Sequence, residues 1–112
     1  MSTDIFESCV RTTGDFAGVF ECDDEAGYFY LYETGGNAGH KIIDSIHILS
    51  GQPDFTDTDV SVRWDQDQEK VGLFIRNMLW AVFDVKCRHR YGAVYDDTKT
   101  PALPLEATNG FK

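Results

Sequence analysis

The chain reads as a mostly β domain of the α+β class: an antiparallel meander sheet of about five to six strands, open or barrel-like, with at most one or two short helices. Apolar and other residues alternate at period two in GDFAGVFEC, GYFYLYE and DVSVRWD, the signature of strands with two distinct faces. Short clusters of Asp, Gly and Asn separate the apolar segments, as hairpin turns require. Aromatic and β-branched residues are concentrated inside the segments, where they pack well on a pleated surface.

Each element follows from its residues. IFESCV, near the amino terminus, is short and reads as one covering turn. In residues 14–22, Phe16, Gly18, Phe20 and Cys22 fall on one side of an extended chain, with Ala17, Val19 and Glu21 on the other. DDEA and Gly27 make an acidic turn, and GYFYLYE returns with Tyr28, Tyr30 and Tyr32 opposite Phe29 and Leu31. TGGNAGH (Thr34 to His40) is a glycine-rich loop; it lacks the GxGxxG and Walker spacings, so it is not read as a phosphate cradle. KIIDSIHILS fits either period, and its β-branched residues favour a strand with a twisted or helical start. GQPDFTDTD is a long polar connection.

The second half opens with Val60, Val62 and Trp64 alternating against Ser61, Arg63 and Asp65, followed by the QDQEK turn. The run KVGLFIRNMLWAVFDV is too long for one ordinary strand, and its central Arg76 and Asn77 mark a tight hairpin, because Asn tolerates the left-handed conformation. MLWAVFDVK is then the third strand of a meander. CRHRYGAVYDD reads as irregular. The length of 112 residues suits a single compact domain, taken as residues 1–95, with 96–112 as an extended, partly loose tail.

GYFYLYE, IIDSIHIL, VSVRWDQDQEKVGLFI and AVFDVK together resemble the pattern of a family of small bacterial proteins catalogued as a domain of unknown function; the resemblance spans residues 15–92. It implies a bacterial source and a small α+β or mostly β domain. It brings no assigned activity, so no catalytic residue is carried over.

The net charge of −9 speaks against nucleic-acid binding, which depends on clustered Lys and Arg. Residues 1–34 hold eight acids against Arg11 alone. Such a surface serves solubility and can also steer a basic protein partner. The amino terminus has no basic region followed by an apolar core, and no window reaches the roughly 20 apolar residues of a membrane helix, so neither secretion nor membrane insertion is expected. Cys9, Cys22 and Cys87 are odd in number and widely spaced, which fits a reducing cytoplasm. Neither CxxC nor HxxxH occurs, and no metal or other cofactor is expected.

Several constellations remain as candidate sites. Lys86, Arg88, His89 and Arg90, with Tyr91 behind them, form a basic knot suited to an anionic ligand, or to pairing with the acidic first third. Asp65, Asp67 and Glu69 imitate the start of a calcium loop, but Lys70 and Arg76 stand where it needs Gly and a carboxylate. His47 and Asp84, each polar within an apolar strand, would form half of a general-base arrangement if they met, with Ser45 or Cys87 as conceivable nucleophiles. The aromatic residues exceed what one sheet must bury, which points to a protein partner or a homodimer engaged through Asp23, Asp24, Glu25 and Tyr30. The leading expectation is a non-enzymatic protein-binding module, immunity- or antitoxin-like, masking a basic partner. The alternatives are an anion or small-molecule sensor using the Lys86 to Arg90 cluster, and an enzyme centred on His47 and Asp84.

Overall fold

The computed structural model describes residues 4–36, 39–92, 94–96, 98–99, 101 and 103–111, without the side chains of residues 35, 36, 39 and 40. The chain forms two four-stranded antiparallel sheets, each a meander in chain order. Sheet A contains β1 (Ile5–Val10), β2 (Phe16–Cys22), β3 (Ala26–Gly36) and β4 (Gly39–Ser50); sheet B contains β5 (Val60–Trp64), β6 (Lys70–Ile75), β7 (Met78–Asp84) and β8 (His89–Gly92). A short 3-10 turn, Asp57–Asp59, precedes β5, and α1 (Leu105–Thr108) is a single helical turn. Neither sheet closes into a barrel.

The expected single meander of five to six strands is therefore corrected to two stacked sheets. The polar connection after β4 carries the chain from one layer to the other, so β4 and β5 are consecutive without pairing. Two strands escaped the sequence reading. IFESCV is an edge strand, with Ile5 buried and Phe6 and Val10 exposed. HRYG pairs with β7 from Asp84↔His89 to Ala81↔Gly92, although as an edge strand it needs no apolar face.

The core lies between the layers. Phe20, Phe29 and Ile48 from sheet A meet Val71, Leu73, Ile75, Trp80 and Phe83 from sheet B, all essentially without solvent contact. The Phe29 and Phe83 rings stack with centroids 5.1 Å apart, and Phe55 from the connection packs near Phe20 at one end. At Gly18 the layers come so close that an added Cβ would sit 2.5 Å from Val71 Cγ2. Replacing Gly18 by Ala is expected to cost about 1–3 kcal/mol, because the stiff, fully buried Val71 cannot swing aside; urea unfolding of the variant measures this.

The mixed periodicity of β4 has a cause in its pairing with β3. Register shifts fall between Gly27 and Tyr28 and between Leu31 and Tyr32, so Ile46 faces Phe29 while the consecutive pair Ile48 and Leu49 is buried. The strand is continuous from Gly39 to Ser50, with no helical start, and the glycine-rich segment contributes residues to both strands. Asn37 and Ala38 of that expected loop lie outside the described residues.

The Arg76 and Asn77 turn forms as expected. Both residues are left-handed, with φ of 52° and 66°, and β6 and β7 run directly into it. Arginine is an unusual occupant of that conformation, and its contacts hold it there: its N–H donates to the Asp59 carbonyl at 2.7 Å and its Nη2 to the Asp54 carbonyl at 2.6 Å. β6 is so apolar because both of its faces are covered. Val71, Leu73 and Ile75 face sheet A, while Phe74 meets Phe111 edge-on at 5.6 Å. Residues 103–111, part of the 96–112 tail expected to be extended and partly loose, lie against sheet B: Ala107 is fully buried, and Lys70 Nζ donates to the carbonyls of Glu106 and Asn109. Asp65 is buried beside Gly110 and accepts the backbone N–H groups of Glu69 and Lys70.

Arg11 pins the open edge of the two layers. Its Nε donates to Asp15 at 2.9 Å and its Nη1 to the Gln68 carbonyl in the β5 to β6 turn, with the guanidinium near the Phe16 and Trp64 rings. Trp64 Nε1 returns a hydrogen bond to the Cys9 carbonyl. The hydrogen bonds from Arg11 hold the Asp15 carboxyl well below the usual carboxylate range. An Arg11→Ala variant should lose about 1–2 kcal/mol, and Asp15→Asn, which removes a partly exposed partner, under about 1 kcal/mol. Because the folded pKa of Asp15 is depressed, its contribution is present above the unfolded value of about 3.9 and fades as pH falls below it. Wild type and Asp15→Asn should therefore differ in urea midpoint at pH 7 and converge in strong acid.

Candidate functional site

The strand alternation leaves a continuous aromatic face on the outside of sheet A. Phe6, Glu21, Tyr28 and His47 align across β1 to β4, and Ser8, Val19, Tyr30 and Ser45 form the next row. The Tyr28 and Tyr30 rings stack at 6.0 Å, Tyr32 meets Tyr30 edge-on at 6.3 Å, and His47 lies 5.2 Å from Tyr28. Phe6 is 61% exposed and Tyr28 38%. Val19 and Ala17 are buried between these larger neighbours.

At one end the face opens into a groove of about 570 Å³, with Asp4, Glu21, Asp23 and Glu25 around Phe6, Tyr28 and Tyr30. The β2 to β3 turn supplies two of these acids. Asp23 Oδ1 accepts the N–H groups of Glu25 and Ala26, which lowers its pKa and fixes the turn. Burial, followed by the charges of Glu21 and neighbours, raises the Tyr30 pKa, so its hydroxyl stays neutral beside the carboxylates. The groove is thus anionic on its rim and aromatic on its floor. Of the residues expected to meet a partner, it gathers Asp23, Glu25 and Tyr30, while Asp24 is outside its lining. Asp4, Phe6, Glu21 and Tyr28 were missed; the signal for Glu21 and Tyr28 was their shared outward parity in adjacent strands.

The basic knot does not act as one cluster. Lys86 Nζ reaches Glu69 at 3.4 Å, and Arg90 Nη1 binds Asp44 at 2.6 Å and stitches β8 to β4. Arg88 and His89 line a cavity with Glu33, Asp84 and the Asp44 that Arg90 binds. The pairing of His47 with Asp84 is not formed. His47 is on sheet A with Nε2 3.1 Å from Ser50 Oγ, whereas Asp84 is on sheet B and accepts the Cys87 N–H at 3.0 Å.

Among the described residues, no group of His, Cys, Asp and Glu side chains is placed to hold a metal ion, and no helix is long and apolar enough to cross a membrane. The three cysteines are free thiols. Burial pushes the Cys22 thiol up to about 11, while Cys87 is exposed in the β7 to β8 turn. Titration with a chromogenic disulfide at pH 8 should show a fast phase that disappears in Cys87→Ser, with Cys22 reacting only on unfolding.

A family model described as an uncharacterized protein conserved in bacteria (DUF2251) matches residues 1–104. The chain belongs to this family. Membership covers nearly the whole two-sheet fold, including the aromatic face, its groove and the Arg88 turn. No curated protein and no solved structure matches the chain.

Proposed function

We propose that this DUF2251 domain is a non-enzymatic protein-binding module that covers a basic surface on its partner, in the manner of an immunity protein or antitoxin. The observation that carries this reading is the asymmetry of the two outer faces. Phe74 on sheet B is covered by Phe111 of its own chain, whereas the tyrosine face of sheet A remains open beside a groove with four acids.

Tyrosine rings supply large, rigid contact area and attract Lys or Arg over their faces. The surrounding carboxylates accelerate the approach of a cationic protein and disfavour an anionic one. They also oppose a homodimer formed face to face, since two identical acidic rims would meet. The partner side chains that suit the groove are arginines and lysines.

The test is capture from a bacterial lysate on immobilised protein, run in parallel with Tyr30→Ala and with Glu21→Lys combined with Glu25→Lys. A basic protein is expected to be retained, released by moderate salt, and lost from both variants, with Tyr30→Ala weakening the purified complex at least about tenfold. Retention of the same protein by all three baits, or no salt-sensitive basic protein at all, would count against the reading.

A further inference from the structure

At the opposite end of β2 and β3 from the acidic groove, the layers part around a cavity of about 130 Å³. Phe16, Leu31 and Phe83 give it an apolar floor, with Ile43 and Val85 at the sides and Glu33, Asp44, Asp84, Arg88 and His89 at the mouth. Its volume is close to the ~150 Å³ of an engineered core cavity that holds a benzene molecule, so its occupant is small.

The charged groups at the mouth differ in how far they are already engaged. Asp44 Oδ1 accepts from Arg90 and from the Ser45 N–H, Asp84 Oδ1 accepts the Cys87 N–H, and His89 Nδ1 lies 3.4 Å from the Tyr91 hydroxyl. The side chains of Glu33 and Arg88 have no hydrogen-bonding or ionic partner among the described residues. Arg88 keeps a left-handed backbone, φ 58°, in the turn that Asp84 caps. An acid and a base, neither paired, thus border one apolar hollow.

We propose that this cavity binds a small zwitterion with a short apolar side chain, of the class of a free branched-chain α-amino acid. Arg88 takes the carboxylate, for which its planar fork is suited, and Glu33 takes the ammonium. The side chain rests on Phe16, Leu31 and Phe83. A simple anion is disfavoured by the three carboxylates at the mouth, a simple cation makes no use of Arg88, and a neutral apolar molecule engages neither charge. The site is separate from the acidic groove, and either can fail without the other.

Titration of ¹⁵N-labelled protein with L-valine, isobutyrate and isobutylamine, followed by amide NMR, tests the proposal. Saturable shifts centred on Leu31, Phe83, Val85 and Arg88 are expected with valine, and each single-charge analogue should bind at least about tenfold more weakly, having lost one charge-assisted contact. Arg88→Gln and Glu33→Gln should each weaken valine binding by a similar factor while keeping a dispersed spectrum. The proposal is overturned if valine gives no saturable shift by roughly ten times a millimolar Kd, or if either analogue binds as well as valine. The analogue comparison uses the unaltered protein and so decides the matter even if a variant misfolds.

Discussion

The contact on which the rest of the molecule depends is the close stacking of the two meanders, which lets Phe29 lie on Phe83 and leaves no room for a side chain at Gly18. A meander alone has one apolar face it cannot hide, and a few strands without a covering layer are marginal in water. Stacking solves this for both halves at once. It also decides which residues face outward, and where the layers part enough to leave a hollow.

The two outer faces have opposite fates. The outer side of sheet B carries Gly72 and Phe74, whose flat, apolar surface is occupied by Phe111 and the last helical turn, tied down by Lys70. On sheet A the corresponding surface is made of tyrosines, which tolerate water through their hydroxyls and remain available for contact. Keeping that many rings in solvent has a cost in solubility, and the acids around them offset it.

How much could be read from the residues follows from this layering. The Arg76 and Asn77 turn, β2, β3 and β5 to β7 were legible, because each has one face in the core and turn residues at its ends. The split into two sheets was not, since period two says which face is buried but not against what. His89–Gly92 was invisible because it is held by β7 and by the Arg90 to Asp44 pair rather than by an apolar face. The composition of β4 looked ambiguous because its bulges change the parity partway along. For the candidate sites, the acidic turn and Tyr30 were legible as a patch. The departure of Lys86 toward Glu69, away from Arg88 and Arg90 beside Asp44, was not, because neighbours along a turn and an edge strand need not share surroundings.

The chain-order pairing within each sheet has a consequence for how the molecule assembles. Every ladder joins a strand to the next one along the chain, so each closes a short loop at small entropic cost, and no strand of one sheet is threaded through the other. Among the described residues, the associations of parts distant in sequence are the meeting of the two halves across the core and the docking of residues 103–111 on sheet B. The connection between Gly51 and Thr56 spans that division, and although Phe55 is buried within it, its neighbours are mostly solvent-facing. The protein is therefore arranged like two fragments tethered at high effective concentration, with a seam at which a severed chain would still carry two complementary surfaces.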